Sequence, residues 1–115
     1  MDKDISKYLE DIRQSIDLIE SHLMNIDSLN VYENDLKTID AVERRLAIIG
    51  EAIFKMDKLD KDIAITDKRK IIGLRHILTH DYDLINDSSI WLICKNKLPI
   101  LMEEILEILK YYELD

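Results

Sequence analysis

Cationic, imidazole and phenolic side chains are concentrated in one stretch of an otherwise acidic chain, residues 67–83, with the sequence DKRKIIGLRHILTHDYD. Within it, Arg75 comes before His80, and Tyr82 follows two residues later. Arginine is a permanent cation and histidine titrates near neutrality, so the pair can bind an anion and transfer a proton. Four further side chains in the stretch are candidates for binding phosphate: Lys68, Arg69, Lys70 and His76. These residue types predict a phosphate-handling site.

The same stretch is predicted to be an amphipathic helix. Its apolar residues recur at helical spacing, with residue 66 or 67 as the N-cap and an end near residue 79 or 80. Residues five apart on an ideal helix point roughly 140° apart, so Arg75 and His80 of one chain do not face each other. Either the helix unwinds at Thr79 and swings His80 back, or each residue pairs with the other chain's copy across a two-fold axis.

The segment from Arg75 to Tyr82, RHILTHDY, resembles the signature of HEPN-domain proteins, specifically the HepT-like toxins that are paired with a minimal nucleotidyltransferase antitoxin. Residues 41–52, AVERRLAIIGEA, resemble the second helix of that family, and residues 90–105 resemble its last helix. Two departures are visible. His76 stands where the family often has an amide, and residues 65–67 replace a common Pro/Trp pair. Neither departure removes a candidate catalytic group.

The resemblance implies an RNA-cleaving homodimer in which the motif helices of both chains line one cleft. Metal-independent RNA cleavage requires a proton to leave the ribose 2′-hydroxyl, charge to be stabilised on the phosphorane and a proton to reach the leaving 5′-oxygen. His80 suits the base or acid role, and Arg75 suits the phosphate charge. The resemblance also implies that Tyr82 accepts AMP from the partner nucleotidyltransferase, which neutralises the toxin.

Other interpretations of these residues remain open. An arginine or histidine at a helix end can interact with the helix dipole or cap carbonyls, and Tyr82 can pack its ring under the loop. Without the resemblance, such structural roles are favoured. The alternatives to an endoribonuclease toxin are a non-catalytic HEPN module that binds nucleotide or docks a nucleotidyltransferase, and a plain helical interaction protein.

Metal and cofactor chemistry is not predicted. His76 and His80 have the spacing of helical zinc ligands, but no third convergent ligand is identifiable. Cys94 follows bulky apolar residues, so it is expected to be buried rather than nucleophilic. The chain has no glycine-rich phosphate loop, so nucleotide hydrolysis of the familiar kind is unsupported.

Composition predicts an all-α protein. The 115 residues suit one domain, residues 1–115, and a content of 47% hydrophobic residues with only 2 Gly and 1 Pro favours long helices. Apolar periodicity predicts helices over residues 3–24 and 35–59, the motif helix, and a last helix capped by residue 87, 88 or 89 and kinked near Pro99. Residues 25–34 are read as a connection. Together these elements predict an antiparallel four-helix up-and-down bundle, in which Gly50 permits close approach of a neighbouring backbone.

The charge distribution limits how nucleic acid can bind. The net charge of −8 argues against a general nucleic-acid coat, whereas residues 68–80 contain four Lys/Arg and no Asp/Glu. RNA is therefore expected to contact a small patch. The N-terminus does not resemble a secretory signal and no apolar run reaches the length of a bilayer, so a cytoplasmic location without membrane contact is expected.

Overall fold

A computed structural model describes the backbone of residues 2–114 and the side chains of residues 4–81 and 83–112. Within this range the chain is all-helical, and the predicted fold class is confirmed. The elements in chain order are α1 (Asp2–Leu23), α2 (Leu29–Glu33), α3 (Leu36–Leu59), α4 (Lys68–His80), α5 (Asp87–Leu92) and α6 (Leu98–Leu114).

The first long helix supplies much of the core. Five apolar side chains on α1 recur every three or four residues, and each is at most 1% exposed: Ile5, Leu9, Ile12, Ile16 and Ile19. They pack mainly against α3, whose buried stripe includes Val42, Leu46 and Ile53. These stripes were predicted from the spacing of apolar residues, since one face of a helix must be buried for the helix to be stable.

The connection between the two long helices contains the short helix α2, which the sequence interpretation missed. Ser28 caps α2 by accepting a hydrogen bond from the backbone N–H of Val31. Tyr32 lies fully buried, and its ring centroid is 5.6 Å from that of Trp91. A five-residue helix is too short to show amphipathic periodicity, so only its cap gave a signal.

The last predicted helix is three consecutive helical segments. Asn86 caps α5 through the N–H of Ser89, so the predicted cap at residue 87, 88 or 89 is wrong by one to three residues. Where a kink was predicted near Pro99, the structure has a π-helical segment, Ile93–Lys97, which joins α5 to α6. Proline lacks an N–H and crowds the preceding turn, and the wider π turn accommodates it.

The helix that carries the motif packs on α3 in an antiparallel hairpin. Asp67 takes the predicted N-cap position of α4 but has a left-handed backbone (φ 57°) and makes no side-chain cap. Its carboxylate contacts Lys97 Nζ at 3.2 Å instead. On its other flank α4 faces α6 across an apolar groove of about 130 Å³, whose floor includes Ile71, Leu74 and Leu101. None of the helices in the described range is long and apolar enough to cross a membrane.

Candidate active site

The position of α4 on α3 is set at Gly50. A Cβ added to Gly50 would lie 2.7 Å from Arg75 Cβ and 3.1 Å from the carbonyl oxygen of Ile71. Any larger residue would push the two helices apart, so the predicted close approach at Gly50 is confirmed. The contact places the start of the Arg75 side chain directly against α3.

Arg75 is held by two residues of α3. Its Nη1 donates a hydrogen bond to Glu51 Oε2 at 2.8 Å, and its guanidinium carbon lies 4.3 Å from the centroid of the Phe54 ring. The side chain is only 25% exposed. Its Nε is buried and has no hydrogen-bond partner among the described residues.

His80 lies exposed at the end of α4, next to a second imidazole. The ring centroids of His76 and His80 are 5.0 Å apart, and the rings are inclined at 51°. His76 Nε2 lies 3.3 Å from Asp81 Oδ2. The two histidines and Asp81 therefore form a polar cluster that solvent or a ligand can reach.

The helix does not unwind before His80. The residues from Lys68 to His80 form one α-helix, and the N–H of Asp81 continues the pattern by donating to the carbonyl oxygen of Ile77 at 3.0 Å. The first of the two arrangements predicted for Arg75 and His80, unwinding at Thr79, is therefore wrong. Arg75 points towards α3, while His80 belongs to the outer face of the same helix.

The basic residues at the start of α4 are engaged with a buried carboxylate. Lys68 Nζ and Arg69 Nη1 each lie 2.8 Å from an oxygen of Asp57, which is 6% exposed. Lys68 also donates to the backbone carbonyls of Lys61 and Ile63. The hydrogen bond from Lys68, followed by the contact with Arg69, lowers the pKa of Asp57 below its usual value. Phosphate binding by Lys68 and Arg69 stays a prediction, and it would have to compete with this ion pair.

Two further predicted residues stand apart from this cluster. Lys70 is exposed at the rim of the apolar groove and makes no ion pair with any residue in the described part of the chain. Tyr82 begins a 3-10 turn, Tyr82–Leu84, two residues after His80. The side chain of Tyr82 lies outside the described residues.

The described residues contain no group of three His, Cys, Asp or Glu side chains that could hold a metal ion. Cys94 is buried, as predicted, and burial raises the pKa of its thiol to about 12. A thiol with so high a pKa is a poor nucleophile at neutral pH.

Glu51 and Phe54, which contact Arg75, and Asp57, which holds the start of α4, are contacts between α3 and α4 that sequence reasoning missed. A signal was available in the antiparallel geometry of α3 and α4, in which residues at similar distances from the connection face each other. Glu51 lies eight residues before the end of α3, and Arg75 lies seven residues after the start of α4. Asp57 and Arg69 are matched in the same way near the connection.

Comparison with known proteins decides the family. The family model described as "Ribonuclease HepT-like" matches residues 12–108. The chain belongs to the HepT-like ribonuclease family. The predicted resemblance is thereby confirmed, and membership of this family supports nuclease activity for the chain.

Relatives of this HepT-like chain occur in Methanocaldococcus jannaschii. A "gamma-glutamylcyclotransferase and putative RNase" is 36% identical over 117 residues, which cover 100% of this chain but 51% of that protein. The chain thus spans about half of that relative's length. A "putative RNase" is 36% identical, covering 96% of this chain and 92% of the relative. Another is 30% identical, with 90% and 94% covered. No solved structure gives a significant match.

Proposed function

We propose that this HepT-like protein is the toxin of a toxin–antitoxin pair, a metal-independent endoribonuclease whose site is completed by a second copy of the chain. One observation carries the proposal. In a chain of this ribonuclease family, an unbroken α4 turns Arg75 towards α3 and presents His80 on its outer face. We therefore expect a substrate phosphate that contacts both groups to bind Arg75 of one chain and His80 of the other.

The outer face of α4 has room for that second copy. Gly73 lies in the middle of α4, and a Cβ added there would meet no atom of the described residues within 4 Å. Glycine destabilises a helix interior by about 1 kcal/mol relative to alanine, and nothing in the described chain requires it at this position. A backbone of the second copy that approaches Gly73 as closely as α4 approaches Gly50 would account for a glycine at this position.

In the proposed reaction His80 accepts the proton of the ribose 2′-hydroxyl, and the resulting oxygen attacks the adjacent phosphorus. The leaving 5′-oxygen takes a proton from water, and His80 afterwards returns its proton to solvent, so each site needs one His80. The products are a 2′,3′-cyclic phosphate and a free 5′-hydroxyl, and no co-reactant is consumed. Arg75 stabilises the additional negative charge on the phosphorane.

The direct test is cleavage of single-stranded RNA by the purified protein and by Arg75→Ala. Arg44→Ala is a matched control, because Arg44 is an exposed arginine of α3 outside the site. We expect cleavage by the wild type and the control in the presence of EDTA, and none by Arg75→Ala. RNA binding without cleavage by the wild type would favour a non-catalytic module that binds nucleotide or docks a transferase. Cleavage by Arg75→Ala would refute the assigned role.

The proposed antitoxin is a minimal nucleotidyltransferase that transfers AMP to Tyr82. Tyr82 follows His80 by two residues, so we expect an added phosphodiester, with its negative charge and bulk, to compete with the RNA backbone for the site. We expect mass spectrometry after co-expression to find AMP on Tyr82, and Tyr82→Phe to resist neutralisation. Tyr111, which is 65% exposed, is a reachable competitor, so Tyr111→Phe is the control. AMP on Tyr111 and not on Tyr82 would overturn this assignment.

A further inference from the structure

Two α3 side chains restrict the Arg75 guanidinium from different directions. The carboxylate of Glu51 receives a hydrogen bond from Nη1 at 2.8 Å, and the ring of Phe54 lies 4.3 Å from the guanidinium carbon. The first contact fixes where one nitrogen points, and the second keeps the guanidinium against the ring. Arginine side chains have many rotamers, so two such contacts remove most of the freedom of the group.

The contact with Glu51 leaves most of the guanidinium available. A guanidinium carries five N–H donors, and only Nη1 donates to Glu51. Nη2 has no hydrogen-bond partner within the described part of the chain, so it can still donate to a phosphate oxygen. Glu51 is itself 40% exposed, and its other oxygen lies 3.8 Å from Lys55 Nζ. The carboxylate therefore orients Arg75 without saturating it.

We propose that Glu51 is a positioning residue for Arg75, with Phe54 keeping the guanidinium against its ring. The inference deepens the proposed ribonuclease function and depends on it. Donors that are already oriented when charge develops on the phosphate do not need to reorganise during the reaction. An arginine freed from Glu51 keeps its charge but samples orientations in which its donors miss the phosphorane.

The test is a kinetic comparison of Glu51→Ala and Glu51→Gln on a fluorophore–quencher oligoribonucleotide of mixed sequence. Because Arg75 keeps its charge in both variants, we expect KM to change little. In Glu51→Ala, kcat should fall on the order of 10- to 100-fold, as misplaced catalytic groups typically cause. Glu51→Gln should recover most of kcat, since the amide oxygen still accepts the hydrogen bond from Nη1. Phe54→Leu should show an intermediate loss.

Two controls separate positioning from simple attachment of α4 to α3. Asp57→Asn removes the charge of the other α3 carboxylate that pairs with α4, and Lys55→Ala removes a cation beside Glu51. We expect Asp57→Asn to lower the unfolding temperature more than Glu51→Ala does, while kcat of both controls, measured well below that temperature, equals that of the wild type. If kcat falls in Asp57→Asn as much as in Glu51→Ala, Glu51 only attaches the helix and the inference fails.

Failure of the inference is distinguishable from failure of the proposed function. If Arg75→Ala abolishes cleavage while Glu51→Ala cleaves at the wild-type rate, Arg75 is required but Glu51 does not position it, and only the inference is overturned. If Arg75→Ala cleaves normally, or if the wild-type protein does not cleave RNA, both are overturned.

Discussion

The two ends of α4 differ in what their basic side chains contact. At the start of the helix, Lys68 and Arg69 share the buried carboxylate of Asp57, at 2.8 Å each. At the end, His76 and His80 are exposed, their rings lie against each other, and His76 pairs with Asp81; neither histidine pairs with any other described carboxylate. The start of α4 therefore contributes mainly to holding the helix in place, whereas its end is available for a ligand. One run of basic residues can therefore both anchor a helix and provide side chains for a ligand, within a few helical turns.

The largest effect expected at the end of α4 is on cleavage. His80→Ala should lower the cleavage rate by about 10²- to 10⁴-fold, because a proton-transfer group is lost. The free energy of unfolding should change by less than about 0.5 kcal/mol, because the side chain is exposed. His22→Ala is the matched control, since His22 is an exposed histidine of α1. A fully folded His80→Ala protein that cleaves RNA normally would show that the end of α4 does not provide a proton-transfer group for cleavage.

At the start of α4 the largest effect should be on stability. Asp57→Ala leaves Lys68, which is 15% exposed, without its carboxylate partner. Removing one member of a buried ion pair costs about 3–5 kcal/mol, and the exposure of Arg69 reduces the expected cost to about 2–3 kcal/mol. Chemical denaturation measures this loss. A variant as stable as the wild type would show that the start of α4 does not hold the helix.

The ion pair of Asp57 with Lys68 and Arg69 should also make the free energy of unfolding depend on pH. The pKa of Asp57 is lower in the folded chain than in the unfolded chain, so its contribution to stability is complete above about pH 4 and is lost as the pH falls through its folded value. Unfolding of wild type and Asp57→Asn, followed from pH 7 to pH 2, should therefore show a difference in stability that narrows on acidification. A difference that stays constant would contradict the assigned ion pair.

The smallest effect is expected between the two ends, at Gly73. Because a Cβ at Gly73 meets no atom in the part of the chain that the structure describes, Gly73→Ala should raise the intrinsic stability of the monomer by up to about 1 kcal/mol. The same methyl group should weaken association if a second copy approaches there, which sedimentation equilibrium would detect. Gly50→Ala is the contrasting variant and should destabilise the monomer, since its Cβ would lie 2.7 Å from Arg75 Cβ. A Gly73→Ala chain that associates as tightly as the wild type would remove Gly73 from the proposed contact.

Sequence periodicity predicted the features that are determined within a single helix. These features are the buried stripes of α1 and α3 and the irregular segment before Pro99. Each depends on residues that are close in sequence, so the spacing of residue types along the chain is enough to indicate it. The candidate pair Arg75 and His80 followed in the same way, from residue types and a family signature. The short helix α2 gave too little pattern to be recognised.

Contacts between helices were not predicted. Glu51 and Asp57 look like ordinary charges of a solvated helix face, and only the register of α3 against α4 turns them into partners of Arg75 and of the Lys68–Arg69 pair. For this reason the sequence overestimated the free charge of residues 68–80. Three of the four cations there have a carboxylate partner, and Lys70 has none in the described range.

The central claim is that one chain supplies Arg75 and another supplies His80 to the same site. The most direct test unfolds Arg75→Ala and His80→Ala chains together, refolds the mixture and measures RNA cleavage. Half of randomly formed dimers contain one chain of each kind, and each of these has one intact site, so about a quarter of the wild-type activity should return. If both residues act within one chain, no dimer contains an intact site and the mixture stays as inactive as either variant alone. That result, with mixed dimers verified by mass spectrometry, would contradict the account.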